Sequence, residues 1–239
     1  MEMGFTRMSD WDDVLRISRA SDQLLEAISS RRPIHRRHRV FRHDTWYDLR
    51  GCVDEIPRLG IVFSTNVGLA GGVMIPPKET GFTHLIMLPQ FFRHEWNVRI
   101  VETQTLLHHE LAHILLGHDD AHYAVKKYTP DYFNHPAEMD AFFHQAVAGV
   151  VSYAEDGQFS WTSGPKSPGD FLSGNASDFV AEVIDRYGRS TKPALDNLTP
   201  QNRANLITRL HALHRDATAE LRRVPSSDRK DALYRSTCR

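Results

Sequence analysis

Between residues 10 and 30 the apolar side chains Val14, Leu15, Ile17, Leu24, Leu25 and Ile28 recur at three- and four-residue spacing. That period predicts an amphipathic helix, with Asp10 placed to cap it. The segment TWYDLRGCVDEI reads as a second helix, opened by Asp44-Thr45 and ended before Pro57. The pattern then changes to short apolar runs punctuated by glycine, IVFSTNVGLAGGVMIPP and FTHLIMLP. These predict three strands, roughly over 60–64, 68–75 and 82–88, the last closed by Pro89. NVRIVETQTLLHHELAHILLG reads as one helix with Gly117 as its stop. A loop, HDDAHYAVKKYTPDYFNHP, leads to a helix from Ala137 to about Tyr153, with Pro136 suited to its first turn. The stretch EDGQFSWTSGPKSPGDFLSGN is turn-rich. Two further helices close the chain, about 176–188, ended by Gly188, and about 201–224, entered through Thr199-Pro200. No internal repeat is present. The sum is an α+β fold with a small sheet and a helical C-terminal part.

Composition narrows the function classes. The 239-residue chain is 41% hydrophobic and 25% charged, with a formal net charge of -1. It is therefore an ordinary globular composition and not a nucleic-acid-binding polycation. The basic run RRPIHRRHRVFRH, 31–43, has no interleaved aromatic platform and reads as a solvated connector, so nucleic acid is not the expected partner. Two cysteines, Cys52 and Cys238, exclude a disulfide scaffold and fit a reducing compartment. The N-terminus MEMGFTRMSDWDDV lacks the apolar core of a signal peptide, and no apolar run reaches membrane-spanning length. The expected location is cytoplasmic, with no membrane association.

One segment stands apart. LLHHELAHILLGHDDAH, residues 106 to 122, holds five of the fourteen histidines. Within it His109, Glu110 and His113 form H-E-x-x-H. Residues four apart on a helix share a face, so both imidazoles can reach one ion. Glu110 is rotated by roughly 100° from His109 and about 60° from His113. That puts its carboxylate beside the ion, where it can hold a water. Imidazole nitrogens and an open position suit a catalytic zinc. His108 points away and reads as an outer or surface residue. His118 reads as lying on the far side, past the helix end, and His122 as facing solvent. A third ligand is expected downstream, on a helix packed against the first. Glu138 and Asp140 in PAEMDAFFHQAVAGVV both qualify. They point about 200° apart, so only one can bind. Periodicity does not decide between them; the longer glutamate reach favours Glu138.

HELAHILLGH, 109–118, resembles the active-site helix of the ImmA/IrrE family of zinc metallopeptidases, which are minimal gluzincins. The resemblance covers about residues 45 to 153. It implies a zincin-like core over 1–155, with a small antiparallel three-stranded sheet, and a helical extension over 156–239. It also implies Glu138 as the third ligand, because Glu138-Met139-Asp140-Ala141 fits the E-x-x-A pattern of gluzincins. Asp140 would then be an outer group paired with His144. The sequence departs from the family where Phe142 stands in place of Asn or Asp and where His144-Gln145 replaces Phe-Ala. No helix-turn-helix domain accompanies it.

The implied reaction is metal-assisted hydrolysis of a peptide bond in a protein partner, a repressor or an antitoxin. Zinc acidifies its bound water and Glu110 acts as general base. His122, Tyr123, Tyr128 and Tyr132 are candidate oxyanion donors among which the sequence does not choose. The segment Phe82 to Leu88 is expected to be the sheet edge beside the zinc, with His84, Ile86 and Leu88 contacting an extended peptide. The rival from another class is a zinc-containing binding module without peptidase activity. An intact Glu110 argues against it, since a purely structural site needs no general base.

Overall fold

The computed structural model describes residues 10–30, 45–64, 72–75, 78–89, 100–118, 129–155, 174–190 and 192–223. The basic run 31–43 and the loop residues His122, Tyr123 and Tyr128 lie outside them. Helix α1 (Asp10–Ser30) is followed by strands β1 (Thr45–Asp48), β2 (Leu59–Ser64), β3 (Gly72–Met74) and β4 (His84–Pro89). Helices α2 (Ile100–Leu115), α3 (Pro130–Phe133), α4 (Pro136–Glu155), α5 (Ala176–Ser190), α6 (Lys192–Asn197) and α7 (Pro200–Arg223) complete the order. The fold is α+β and mostly helical. Among the described residues no helix is long and apolar enough to cross a membrane.

The sheet corrects the expected three antiparallel strands. Among the described residues it has four, in the order β1-β2-β4-β3. β1 pairs antiparallel to β2, with Thr45 opposite Phe63. β4 runs parallel to β2, from Leu59 opposite His84 to Ser64 opposite Pro89. β3 pairs antiparallel to β4, with Gly72 opposite Met87. The chain leaves β2, forms the outer strand β3, and returns as β4 between them. β4 is therefore an interior strand, not the sheet edge. Its unbroken apolar run Leu85-Ile86-Met87-Leu88 is the pattern of a strand covered on both faces. Ile86 and Leu88 are fully buried in the main core, with Ile61 and Phe63 of β2 and Leu107 and Leu111 of α2. Leu85 turns to the other face, against Val62 and Phe82. On that face Gly60 is required: a Cβ there would stand 2.6 Å from Leu85 Cδ2.

The second predicted helix is also corrected. Trp46 and Tyr47 belong to β1, and the chain then turns through Gly51, whose φ of 69° lies in the left-handed region. Leu49, Val53 and Ile56 are spaced like a helical stripe and are buried, but they hang from successive turns. Aromatic residues pairing on a strand edge, plus one glycine turn, override that periodicity.

Two cores meet on α1 and α4. Ile17, Leu24 and Ile28 of α1 join the sheet and α2, as does Ala141 of α4. Trp11 and Val14, one turn or more earlier, join Phe142, Phe143 and Val147 of α4, Phe179 and Val183 of α5, and Leu206, Leu210 and Leu213 of α7. The C-terminal helices thus pack on the N-terminal turn of α1. Asn134 ties the α3 end to the start of α7: its Nδ2 donates to Asn197 O at 2.7 Å and its Oδ1 accepts from Thr199 N at 2.9 Å. The short helices α3 and α6 fall where a loop was expected, and α5 continues through Gly188 to Ser190.

Candidate metal centre

α2 presents His109 and His113 on one face, and α4 packs along it. Glu138, in the first turn of α4, projects between them. Its negative charge is favoured there by the positive end of the helix dipole. His109 Nε2 lies 3.2 Å from His113 Nε2. Glu138 Oε2 lies 3.5 Å from His109 Nε2, and Oε1 lies 3.7 Å from His113 Nε2. One ligand atom from each falls within 4.8 Å of the others. A four-coordinate ion with bonds of about 2.0–2.1 Å separates its donors by about 3.3 Å, the edge of a tetrahedron. The three side chains fit such an ion. Among the described residues they form the group of this kind.

Burial sharpens the case. His109, His113 and Glu138 are 6%, 4% and 1% exposed, and Glu110 is 3% exposed. Charged or half-charged groups are not held in a dry interior without compensation. Burial alone would push the His109 imidazole down. Its hydrogen bond to Glu138, the Glu110 and Glu138 charges and the Gln145 side chain outweigh that, and the net direction is upward. Phe142 packs on the other side, its ring centroid 4.7 Å from that of His109. Phe142 therefore props this ring by packing.

Asp140 is elsewhere. Its carboxylate takes a bond from Arg209 of α7 and lies 3.5 Å from His118 Nε2. Burial would raise its pKa, but His118 and Arg209 prevail and hold it at about 2. The expected partner, His144, is instead neutral: burial and the Arg209 charge push it down to about 3. His118 lies past the helix end as expected but not on the far side: its Nδ1 is 3.1 Å from His113 Nδ1.

The helix stop explains this. Gly117 adopts φ 68°, its N–H bonds Ile114 O, and His118 N–H bonds His113 O at 3.0 Å. This paired closure folds the residue after the glycine back onto the last turn. The signal was present in the order His113-x-x-x-Gly117-His118. His108 is buried and not at the surface.

The other expected site residues divide. Tyr132 is buried among Phe133 and Phe142. Ile86 and Leu88 are core residues, which removes both from an open peptide platform, whereas His84, on the same face, is half-buried. His84 lines a cavity of about 320 Å³ with Arg16, Thr83, Ile114 and Leu115. His109, Glu110, His113 and Glu138 do not line it.

Comparison with protein-family models, curated proteins and solved structures finds no match to this chain.

Proposed function

We propose that this chain is a zinc-dependent metallo-endopeptidase with a zincin-like core, acting on a protein partner. The observation that carries the reading is the convergence of His109, His113 and Glu138 from two packed helices, with Glu110 the next residue after the first ligand. Two imidazoles and one carboxylate are the donor set of a catalytic zinc, and they are poor ligands for magnesium or calcium. Bound there, zinc supplies a Lewis acid that acidifies water and polarises a carbonyl. Glu110 takes the proton from the attacking water and passes it to the leaving amine.

The substrate platform moves from β4 to β3. This short strand packs against α2, and among the described residues β4 is its one strand partner. A peptide reaching the metal would be laid along this side of the sheet as an extended chain. Ile75, which follows it, is 58% exposed and offers an apolar contact. A docked segment must be extended, so the substrate is a flexible stretch of a protein. A repressor or antitoxin, as the family resemblance implies, meets that description.

One observation favours a second reading. The four site residues are closed from solvent, as in a structural metal site that holds its helices together without chemistry. The two readings separate by experiment. Metal analysis of purified protein should find one zinc, lost in His109→Ala and in His113→Ala. Glu110→Gln should retain an intact partner that the native enzyme cleaves. Zinc kept by both histidine variants would sink the site. Stoichiometric zinc with no retained partner and no cleavage would leave the structural reading.

A further inference from the structure

We propose that His118, Asp140 and Arg209 form a positioning chain for His113 that makes the last helix part of the metal centre. The inference rests on the metal reading above. His113 aims Nε2 at Glu138 and His109, at 3.7 and 3.2 Å, so Nδ1 is its outward nitrogen. An imidazole that binds through Nε2 must carry its proton on Nδ1. That proton faces His118 Nδ1 at 3.1 Å. His118 accepts it only with its own proton on Nε2, which faces Asp140 Oδ2 at 3.5 Å. Each link therefore sets the tautomer of the next.

The chain is anchored at its far end. Arg209 bonds Asp140 through Nη1 and grips Asp10 with Nε and Nη2, each at 2.8 Å. Its guanidinium carbon also stands 3.9 Å over the Phe143 ring. One side chain of α7 thus binds α1 and α4 together and fixes Asp140. Outer partners that orient a ligating histidine raise its basicity and hold its ring; their loss typically costs 10–100-fold in metal affinity. Here the outer partner is a second histidine, and the support comes from the C-terminal helix. Displacing α7 would loosen the metal without touching a ligand.

The test is zinc affinity by chelator competition on the full chain, with cobalt(II) spectra as a second readout. His118→Leu should weaken zinc about 10- to 100-fold and shift the cobalt bands. His118→Asn restores an acceptor at the Nδ1 position and should recover most of the affinity, which a merely structural role would not require. Arg209→Met should weaken zinc by about tenfold; if it does not fold, Arg209→Lys takes its place. Nitrogen NMR of the zinc-loaded chain should find His118 with its proton on Nε2. Unchanged affinity and spectra in folded His118→Leu, or a His118 proton on Nδ1, would overturn the chain. Native protein that binds no zinc would instead overturn the metal reading.

Discussion

Glu138 and Asp140 stand two residues apart on α4 and serve different neighbours. Glu138 lies 3.5 Å from His109, whereas Asp140 bonds Arg209 and lies 3.5 Å from His118. Two helical steps turn a side chain by about 200°, so neither can take the other's place. Glu138→Ala should lower zinc affinity by well over about 100-fold, beyond the range of outer partners, and Asp140→Asn by about tenfold. Chelator competition on folded protein measures both. Equal losses, or a larger loss at Asp140, would reassign the third ligand.

The Gly117 turn carries a separate prediction. Its φ of 68° is unfavourable for any residue with a Cβ, yet nothing stands within 4 Å of where that Cβ would be. The cost of Gly117→Ala is therefore backbone strain alone, about 1 kcal/mol. Gly117→Asn should cost less, because asparagine tolerates the left-handed region. Urea midpoints of the two variants should rank in that order, and an alanine variant as stable as the native chain would contradict it.

The long helices and the histidine-bearing face of α2 were legible because their information is local. Apolar period, a glycine stop and the four-residue spacing of His109 and His113 each live within a few turns. The choice of Glu138 over Asp140 was not legible from period, since both flank the same apolar stripe; the packing angle of α4 on α2 decides it. β4 was misplaced for a similar reason. A run such as Leu85-Ile86-Met87-Leu88 suits an interior strand as well as a covered edge, and strand order is a long-range property. Arg209 carried no signal at all, because its partners Asp10 and Asp140 are distant in sequence. His118 did carry one, in the closure that Gly117 imposes.

Asp22 predicts a pH dependence of stability. It is half-buried on α1, and burial raises its pKa from 3.8 to about 6. The folded state thus binds this proton more tightly than the unfolded state. Stability is full below about pH 4 and falls as pH rises toward 6, after which the loss is constant. Asp22→Asn removes the penalty. At pH 7 it should gain about 1 kcal/mol, after discounting for solvent screening. The gain should vanish near pH 4, and a gain independent of pH would mean that the charge is not its source.

The interior position of β4 separates two substrate platforms. Ile86 is fully buried between β2 and α2, so Ile86→Ala should cost about 2–5 kcal/mol by leaving a cavity. Ile75, 58% exposed beyond β3, should tolerate alanine with little change in stability. Amides of residues 85–88 should exchange slowly in the free protein, since β2 and β3 already flank this strand. A partner held by Glu110→Gln should leave them unchanged, because a strand paired on both sides has no edge to lend. Added protection at 85–88 would mean that β3 is displaced on binding, and the peptide would then be read by Ile86 and Leu88 after all.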